Sequence, residues 1–274
     1  MKSFALALGG GGARGLAHIV VVEALDELGA KPAAIAGTSI GALIGAAYAA
    51  GLTGKEIRRH VISVAHDRGE MFRRLLAARA GSFVSLFKQG FGSATMLDAE
   101  KLCVQFLPEA VPEEFGALKF PLTVMASDVH RRVQVPISSG PLKPALAASI
   151  ALPTLVRPVV VGERILIDGG ATNPLPFDAL RGRADVVVAV DISGEPTEQR
   201  RDIPNPWECL LNTVLVMGNA ITAEKVKHGA PDLIVRPKVG GFRGTDFLQA
   251  SAILRASEPL KADLKEKLVG LLGG

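Results

Sequence analysis

The chain has 274 residues, 48% hydrophobic and 21% charged, with a formal net charge of +4. That length and composition describe a globular protein with a substantial core and exclude a disordered one. Aromatic residues amount to 5%, too few for a base-stacking platform, so no nucleic-acid partner is expected.

The two cysteines, Cys103 and Cys209, fit no metal or redox spacing and read as inert thiols in a reducing compartment. The N-terminus shows one Lys, a short apolar run and then glycines, without a signal-peptide core, so the expected location is cytoplasmic. No cofactor and no metal are expected.

Phe4 to Leu8 reads as a strand, Gly9 to Gly12 as a glycine loop, and Leu16 to Leu28 as a helix ending at Gly29. The unit then repeats: a strand at Ala33 to Ala36, a turn at Gly37 to Gly41, and a small-residue helix ending near Gly51. Two strand-loop-helix units in succession predict parallel strands with crossover helices. From Pro32 to Gly54 there is no charged side chain. The run is long enough to span a membrane, but its Gly/Ala-heavy composition and central turn favour a strand followed by a buried helix.

From Lys55 to about Ala117 helical patterns dominate, broken by Gly81, Gly90 and Gly92. Between Lys55 and Lys88 eight Lys/Arg stand against three Asp/Glu. Such a cluster is ordinarily a solvated helical face; it also suits peripheral contact with an anionic membrane surface. Strands return at Pro121 to Ala126, Gln134 to Ile137, Val159 to Val161, Ile165 to Ile167 and Val186 to Val190. A helix at Trp207 to His228, a strand at Leu233 to Arg236 and a helix at Asp246 to Leu272, broken near Pro259, complete the chain. The expected architecture is three-layer α/β/α around a mostly parallel sheet. The expected organisation is one domain, residues 1–274, with a helical insertion at about 55–117.

Three stretches carry chemistry. Gly37-Thr38-Ser39-Ile40-Gly41 satisfies G-x-S-x-G, the signature of a serine pushed out of a sharp strand-to-helix turn. In a chain this rich in Gly, Ala and Ser, an accidental match explains the pentapeptide alone equally well. Gly10-Gly11-Gly12-Ala13-Arg14-Gly15 satisfies G-x-G-x-x-G, yet no Asp or Glu follows between Glu27 and Glu56 to hold a ribose. The same loop can instead gather N–H groups toward an oxyanion. Arg14 either fixes the loop or faces an anionic substrate group.

Ile165-Leu166-Ile167-Asp168-Gly169-Gly170 puts a carboxylate at a strand end, where ligands meet parallel sheets. Asp-Gly is also a common turn opener, and Asp128 and Asp191 compete on the same argument. Serine needs a base. None of His18, His60, His66, His130 and His228 has a local signature for that role; only His228 follows in Ser–Asp–His order.

Together, the glycine loop, Gly-Thr-Ser-Ile-Gly and the late Asp-Gly-Gly resemble the patatin-like phospholipase family. Ala17-His18-Ile19, Ala126-Ser127-Asp128, Ser149-Ile150-Ala151-Leu152-Pro153 and Asp168 through Pro176 are similar to family segments, so the resemblance covers nearly the whole chain. It implies a serine lipid-acyl hydrolase, a carboxylic-ester hydrolase working through an acyl-enzyme on a lipid or ester substrate. Ser39 would be the nucleophile and Asp168 the base, with no catalytic histidine. Gly10, Gly11 and Gly12 would form the oxyanion loop, joined by the N–H of Ile40. Arg14, Gly15, Gly37, Gly41, Gly169 and Gly170 would support the motifs. Ala147-Ala148 departs from the family, whose members often carry an arginine close to the serine. Two alternatives stand beside this reading: a lipid- or partner-binding regulatory protein on the same fold, and an α/β-hydrolase with a Ser39–Asp–His228 triad. Against the latter, only two candidate strands precede Ser39.

Overall fold

A computed structural model of the chain describes residues 2–66, 68–78, 96–194, 203 and 206–273. Strand β1 (Phe4–Leu8) leads through a 3-10 turn at Gly12–Ala17 into helix α1 (His18–Leu28), where Gly29 takes a left-handed φ of 65° and ends it. Strand β2 (Ala34–Thr38) passes directly into helix α2 (Ile40–Ala49), with Ser39 alone between them. The charge-free run is therefore a buried strand and helix. No helix among the described residues is long and apolar enough to cross a membrane.

Helices α3 (Gly54–His66), α4 (Arg68–Ala77) and α5 (Ala99–Phe106) follow. Gly81, Gly90, Gly92 and Lys88 lie outside the described residues. Helix α3 is fixed to α1 by an ion cluster. The Arg58 guanidinium reaches both oxygens of Glu23, a carboxylate 4% exposed, at 2.6 Å each, and also Glu258 at 2.5 Å. Lys261 adds a second cation to Glu23 at 2.6 Å.

Then come β3 (Leu122–Asp128), β4 (Val133–Ile137), helix α6 (Leu142–Ser149), β5 (Val159–Val161), β6 (Arg164–Asp168), β7 (Val186–Val190), helix α7 (Pro206–Lys227) and β8 (Leu233–Val235). Helices α8 (Ala250–Ser257) and α9 (Leu260–Leu272) end the chain, split at Pro259 as its sequence predicts. The sequence reading has no counterpart for α6. Pro144 looks like a breaker there, but at the third helical position its missing N–H is one of the groups with no intrahelical partner anyway.

The strands form one sheet in the order β5-β6-β3-β2-β1-β7-β8, with β4 also on β3. Neighbours from β3 to β8 along that path run parallel; β4, β5 and β6 add antiparallel pairs. Side chains alternate across β1. Phe4, Leu6 and Leu8 enter the large core under α1, α2 and the C-terminal helices. Ala5 and Ala7 face the other side with Ala34, Ala36 and Ala189. Those small residues let Phe177, Leu180 and Val226 of α7 approach the sheet closely, giving the third layer.

One register decides where the site forms. Strand β3 pairs with β2 through Leu122–Met125 and with β6 through Ala126–Asp128, while β4 overlaps both stretches. Strands β2 and β6 therefore share the edge of β3 opposite β4, end to end. Thr38 pairs with Met125 and Asp168 with Ala126, the next residue. The end of β2 and the end of β6 are thus brought together by consecutive positions of one strand.

Candidate active site

Ser39 occupies the junction with φ 54° and ψ −124°, a backbone conformation rare outside glycine. Holding a non-glycine residue there costs roughly 1–3 kcal/mol. The flanking glycines make the turn sterically feasible. A Cβ on Gly41 would lie 2.2 Å from the Leu8 carbonyl oxygen, and one on Gly37 2.6 Å from the Ala42 Cα. The Ser39 carbonyl accepts from the N–H groups of Ala42 and Leu43, starting α2 at once. Its own N–H donates to the buried Ser149 hydroxyl at 2.9 Å.

The Ser39 hydroxyl donates to Asp168 Oδ2 at 2.7 Å. Asp168 is 6% exposed; its Oδ1 accepts from the Gly170 N–H at 2.7 Å, and its backbone N–H donates to the Ala151 carbonyl. Burial raises its pKa to about 6, with the hydrogen bonds from Ser39 and Gly170 pulling the other way. Gly169 lets the chain turn tightly past β3, where a Cβ would meet the Met125 carbonyl oxygen at 2.3 Å.

The glycine loop lies against this pair: a Cβ on Gly10 would stand 3.4 Å from the Ser39 Cβ. The loop is tied on every side. The Gly9 N–H donates to Val190, and Gly10 donates to the Pro174 carbonyl at 2.9 Å, so Gly10's donor is already engaged. The imidazole of His18 bonds the Gly9 carbonyl at 2.8 Å, and burial pushes its pKa down to about 4, keeping the ring neutral. Arg14 donates from Nε to the Phe242 carbonyl at 2.7 Å and from Nη1 to the Ser193 carbonyl at 2.6 Å. Of the two roles open to Arg14, the loop tie is the one these contacts describe. A Cβ on Gly15 would run into the Ile40 side chain at 2.2 Å, so this glycine lets the loop and the elbow pack together. Among the described residues, the N–H groups of Gly11, Gly12 and Ile40 have no protein acceptor.

The competing aspartates are occupied elsewhere. Asp128 caps the turn after β3, accepting from the N–H groups of His130 and Arg131. Asp191 accepts from Ser193 and pairs with Arg236 at 3.2 Å. Among the described residues, no histidine side chain hydrogen-bonds Ser39. His228 is exposed at the end of α7 and bonds Glu224, so no Ser39–His228 contact exists. His60 bonds the Phe106 carbonyl. The side chain of His66 lies outside the described residues.

Ser39 and Asp168 open into a cavity of about 1250 Å³. Its walls are largely apolar, contributed by α2, α3 and α5 on one side and by α7 and Phe247 on the other. Sequence periodicity on any one of these helices is ordinary core periodicity, so the cavity has no signature in a single segment. Ser149 likewise shows no chemical signal in the sequence, because only folding brings its hydroxyl to the elbow.

The Patatin-like phospholipase family model matches residues 6–181. The chain belongs to this family. An uncharacterised NTE family protein of Mycobacterium tuberculosis is 35% identical over 219 residues, covering 79% of this chain and 57% of the relative's own length. A Yarrowia lipolytica protein named Lysophospholipase NTE1 is 24% identical over 278 residues, covering 93% of this chain and 19% of its own length. Among solved structures, VipD from Legionella pneumophila superposes with a TM-score of 0.52 at 14% identity, over 97% of this chain and 67% of that one, a likeness of fold. The patatin-like span contains the glycine loop, the elbow, α6 and Asp168. The cavity wall formed by α7 and Phe247 falls beyond it.

Proposed function

We propose that this patatin-like chain is a serine lipid-acyl hydrolase of phospholipase A, lysophospholipase or esterase type, working through a Ser39–Asp168 dyad. The observation that carries the reading is the 2.7 Å hydrogen bond from Ser39 to a buried carboxylate at the head of an apolar cavity. A carboxylate in water is too weak a base for a serine hydroxyl. Burial moves Asp168 closer to useful basicity, and its pKa of about 6 leaves it ionised at neutral pH.

In the first step the Ser39 Oγ–H proton passes to Asp168 as Oγ bonds the ester carbonyl carbon. The carbonyl oxygen takes the negative charge and meets the N–H groups of Gly11, Gly12 and Ile40; Gly10 contributes the backbone that shapes the loop rather than its own donor. When the C–O bond to the alcohol breaks, the leaving oxygen takes the proton from Asp168. A water then gives a proton to Asp168 and attacks the acyl-enzyme, and Ser39 recovers its proton as the fatty acid departs.

The domain reading accompanies the chemistry: one hydrolase domain, its helical insertion beside the cavity, acting on lipid at a membrane surface. Phe72, 63% exposed on α4 next to Arg73 and Arg74, supports that contact. A hydrolysis panel of phospholipids, lysophospholipids and simple esters, with Ser39→Ala as the blank, tests the function. Hydrolysis of at least one class by the wild type and of none by the blank is expected; equal rates in both would overturn the proposal.

A further inference from the structure

Thr38, the residue before the nucleophile, carries a buried hydroxyl that the chemistry above does not use. That hydroxyl donates to the backbone carbonyl of Asn173 at 2.7 Å. Asn173 follows Asp168 by five positions, so the bond joins the elbow to the segment that carries the base. The Thr38 methyl meets the glycine loop as well: a Cβ on Gly10 would stand 3.3 Å from it. A single side chain therefore contacts both of the other motifs.

Asn173 is itself held firmly. It is fully buried, and its backbone N–H donates to the Gly169 carbonyl at 2.8 Å, closing the turn after Asp168. Its Nδ2 donates to Gln134 Oε1 of β4 and to Asp178 Oδ1, at 3.0 Å each. An ionised carboxylate only accepts, so Asp178 fixes which edge of the amide faces it. Lys225 of α7 anchors Asp178 in turn at 2.5 Å. Among the described residues, no protein group donates to the buried Oδ1 of Asn173. An unpaired acceptor is costly, and an apolar side chain of similar volume would fill the space without that cost. Neither Thr38 nor Asn173 lines the cavity.

We propose that Thr38 and Asn173 are positioning residues for the hydrolysis: their hydrogen bond holds Ser39 Oγ within reach of the Asp168 carboxylate, and Gln134 with Asp178 steadies the carbonyl that Thr38 grips. The inference rests on the hydrolase reading above and adds which residues outside the dyad keep it aligned. Proton transfer needs the hydroxyl within hydrogen-bond reach of its base. Lost alignment of that kind lowers kcat, while substrate binding in a cavity these residues do not line is left alone.

The test compares Thr38→Val, which keeps the shape and deletes the hydroxyl, with Thr38→Ser, which keeps the hydroxyl and deletes the methyl. Melting temperatures check folding. On p-nitrophenyl butyrate, kcat should fall about tenfold or more in Thr38→Val with KM within about threefold, and Thr38→Ser should restore kcat to within about threefold of the wild type. A wild-type kcat in Thr38→Val, or Thr38→Ser as slow as Thr38→Val, would overturn the clamp while leaving the Ser39 chemistry standing. Asp178→Ala, at a part-exposed position, frees one hold on the Asn173 amide and decides the question if Thr38→Val does not fold. It should show the same split at about threefold in kcat, and an unchanged kcat there would count against the clamp.

A second measurement needs no turnover. The hydrogen bond from Ser39 pulls the pKa of Asp168 down against burial, with no charged side chain among the causes of its shift. Carbon-13 titration of the Asp168 carboxyl should therefore give a higher midpoint in Thr38→Val than in the wild type. In a Ser39→Ala background, where that bond is already gone, Thr38→Val should move nothing. Equal midpoints in the first pair, or the same rise in the second, would overturn the clamp, and would do so even if the wild type hydrolysed no ester and the hydrolase reading had failed by itself.

Discussion

The backbone N–H of Ser39 donates to the hydroxyl of Ser149, 110 residues further along the chain, at 2.9 Å. Ser149 is the last residue of α6 and is fully buried, so this hydroxyl is the protein acceptor seen for the N–H of a strained elbow. Ser149→Ala leaves that donor unpaired, a loss of about 1–3 kcal/mol of stability. It also loosens the placement of Oγ, and a misplacement near 1 Å costs on the order of 100-fold in rate. A 10- to 100-fold fall in kcat with KM within threefold, read on a short-chain ester, is the expected pattern. A KM change with kcat intact would assign Ser149 to substrate contact instead.

Asp168 sets the acid side of the pH profile. Its carboxyl must be ionised to take the Ser39 proton, and burial holds its pKa at about 6. The acid limb of kcat/KM should therefore be half-maximal near pH 6, with tenfold loss per unit below it. An activity unchanged from pH 7 to pH 4.5 would exclude Asp168 as the base.

The same buried charge should cost stability. The folded-state pKa is raised from the ordinary 3.8 to about 6, so the penalty is fully present above pH 6 and disappears as the pH falls toward 4. Two units correspond to about 3 kcal/mol at most. Asp168→Asn, matched in shape and neutral, should raise the urea midpoint at pH 8 and show little advantage at pH 4. A destabilised variant at pH 8 would show that the lost hydrogen-bond geometry outweighs the relieved charge.

Arg58 anchors a cavity wall. Burial opposes ionisation of Glu23, but the hydrogen bonds from Arg58 and Lys261 prevail and hold its pKa below the ordinary value. The depressed pKa means the stabilisation is present above the unfolded value of 4.5 and is lost as the pH drops through the folded one. With Lys261 still in place, Arg58→Ala should cost roughly 1–3 kcal/mol at pH 7, less than breaking a buried pair outright. Urea melts at pH 7 and pH 3 check this; an equal loss at both would trace the effect to packing.

The sequence makes the local parts of this site legible and hides its long-range parts. Gly37, Gly41 and Gly169 mark places where a Cβ would strike backbone, and steric need of that kind leaves glycines in the sequence. The unbroken apolar, β-branched run of β7 locates a central strand. The choice among Asp128, Asp168 and Asp191 is different, since each simply follows a strand. The register of β3, which sets Asp168 beside the end of β2, exists only in the fold. Strand β2 runs two residues past its expected end because Gly37 and Thr38, read as a turn, are still paired with Val124 and Met125. Helix α6 was hidden by Pro144, and with it the role of Ser149. The cavity is assembled from faces of separate helices, each of which alone looks like ordinary core.

The most direct test of the dyad is kcat/KM on a short-chain ester for the wild type, Ser39→Ala and Asp168→Asn, with circular dichroism confirming that each is folded. The account predicts a loss of about 1000-fold or more in both variants, the scale on which removing a nucleophile or its base acts. Asp168→Asn within tenfold of the wild type would contradict it.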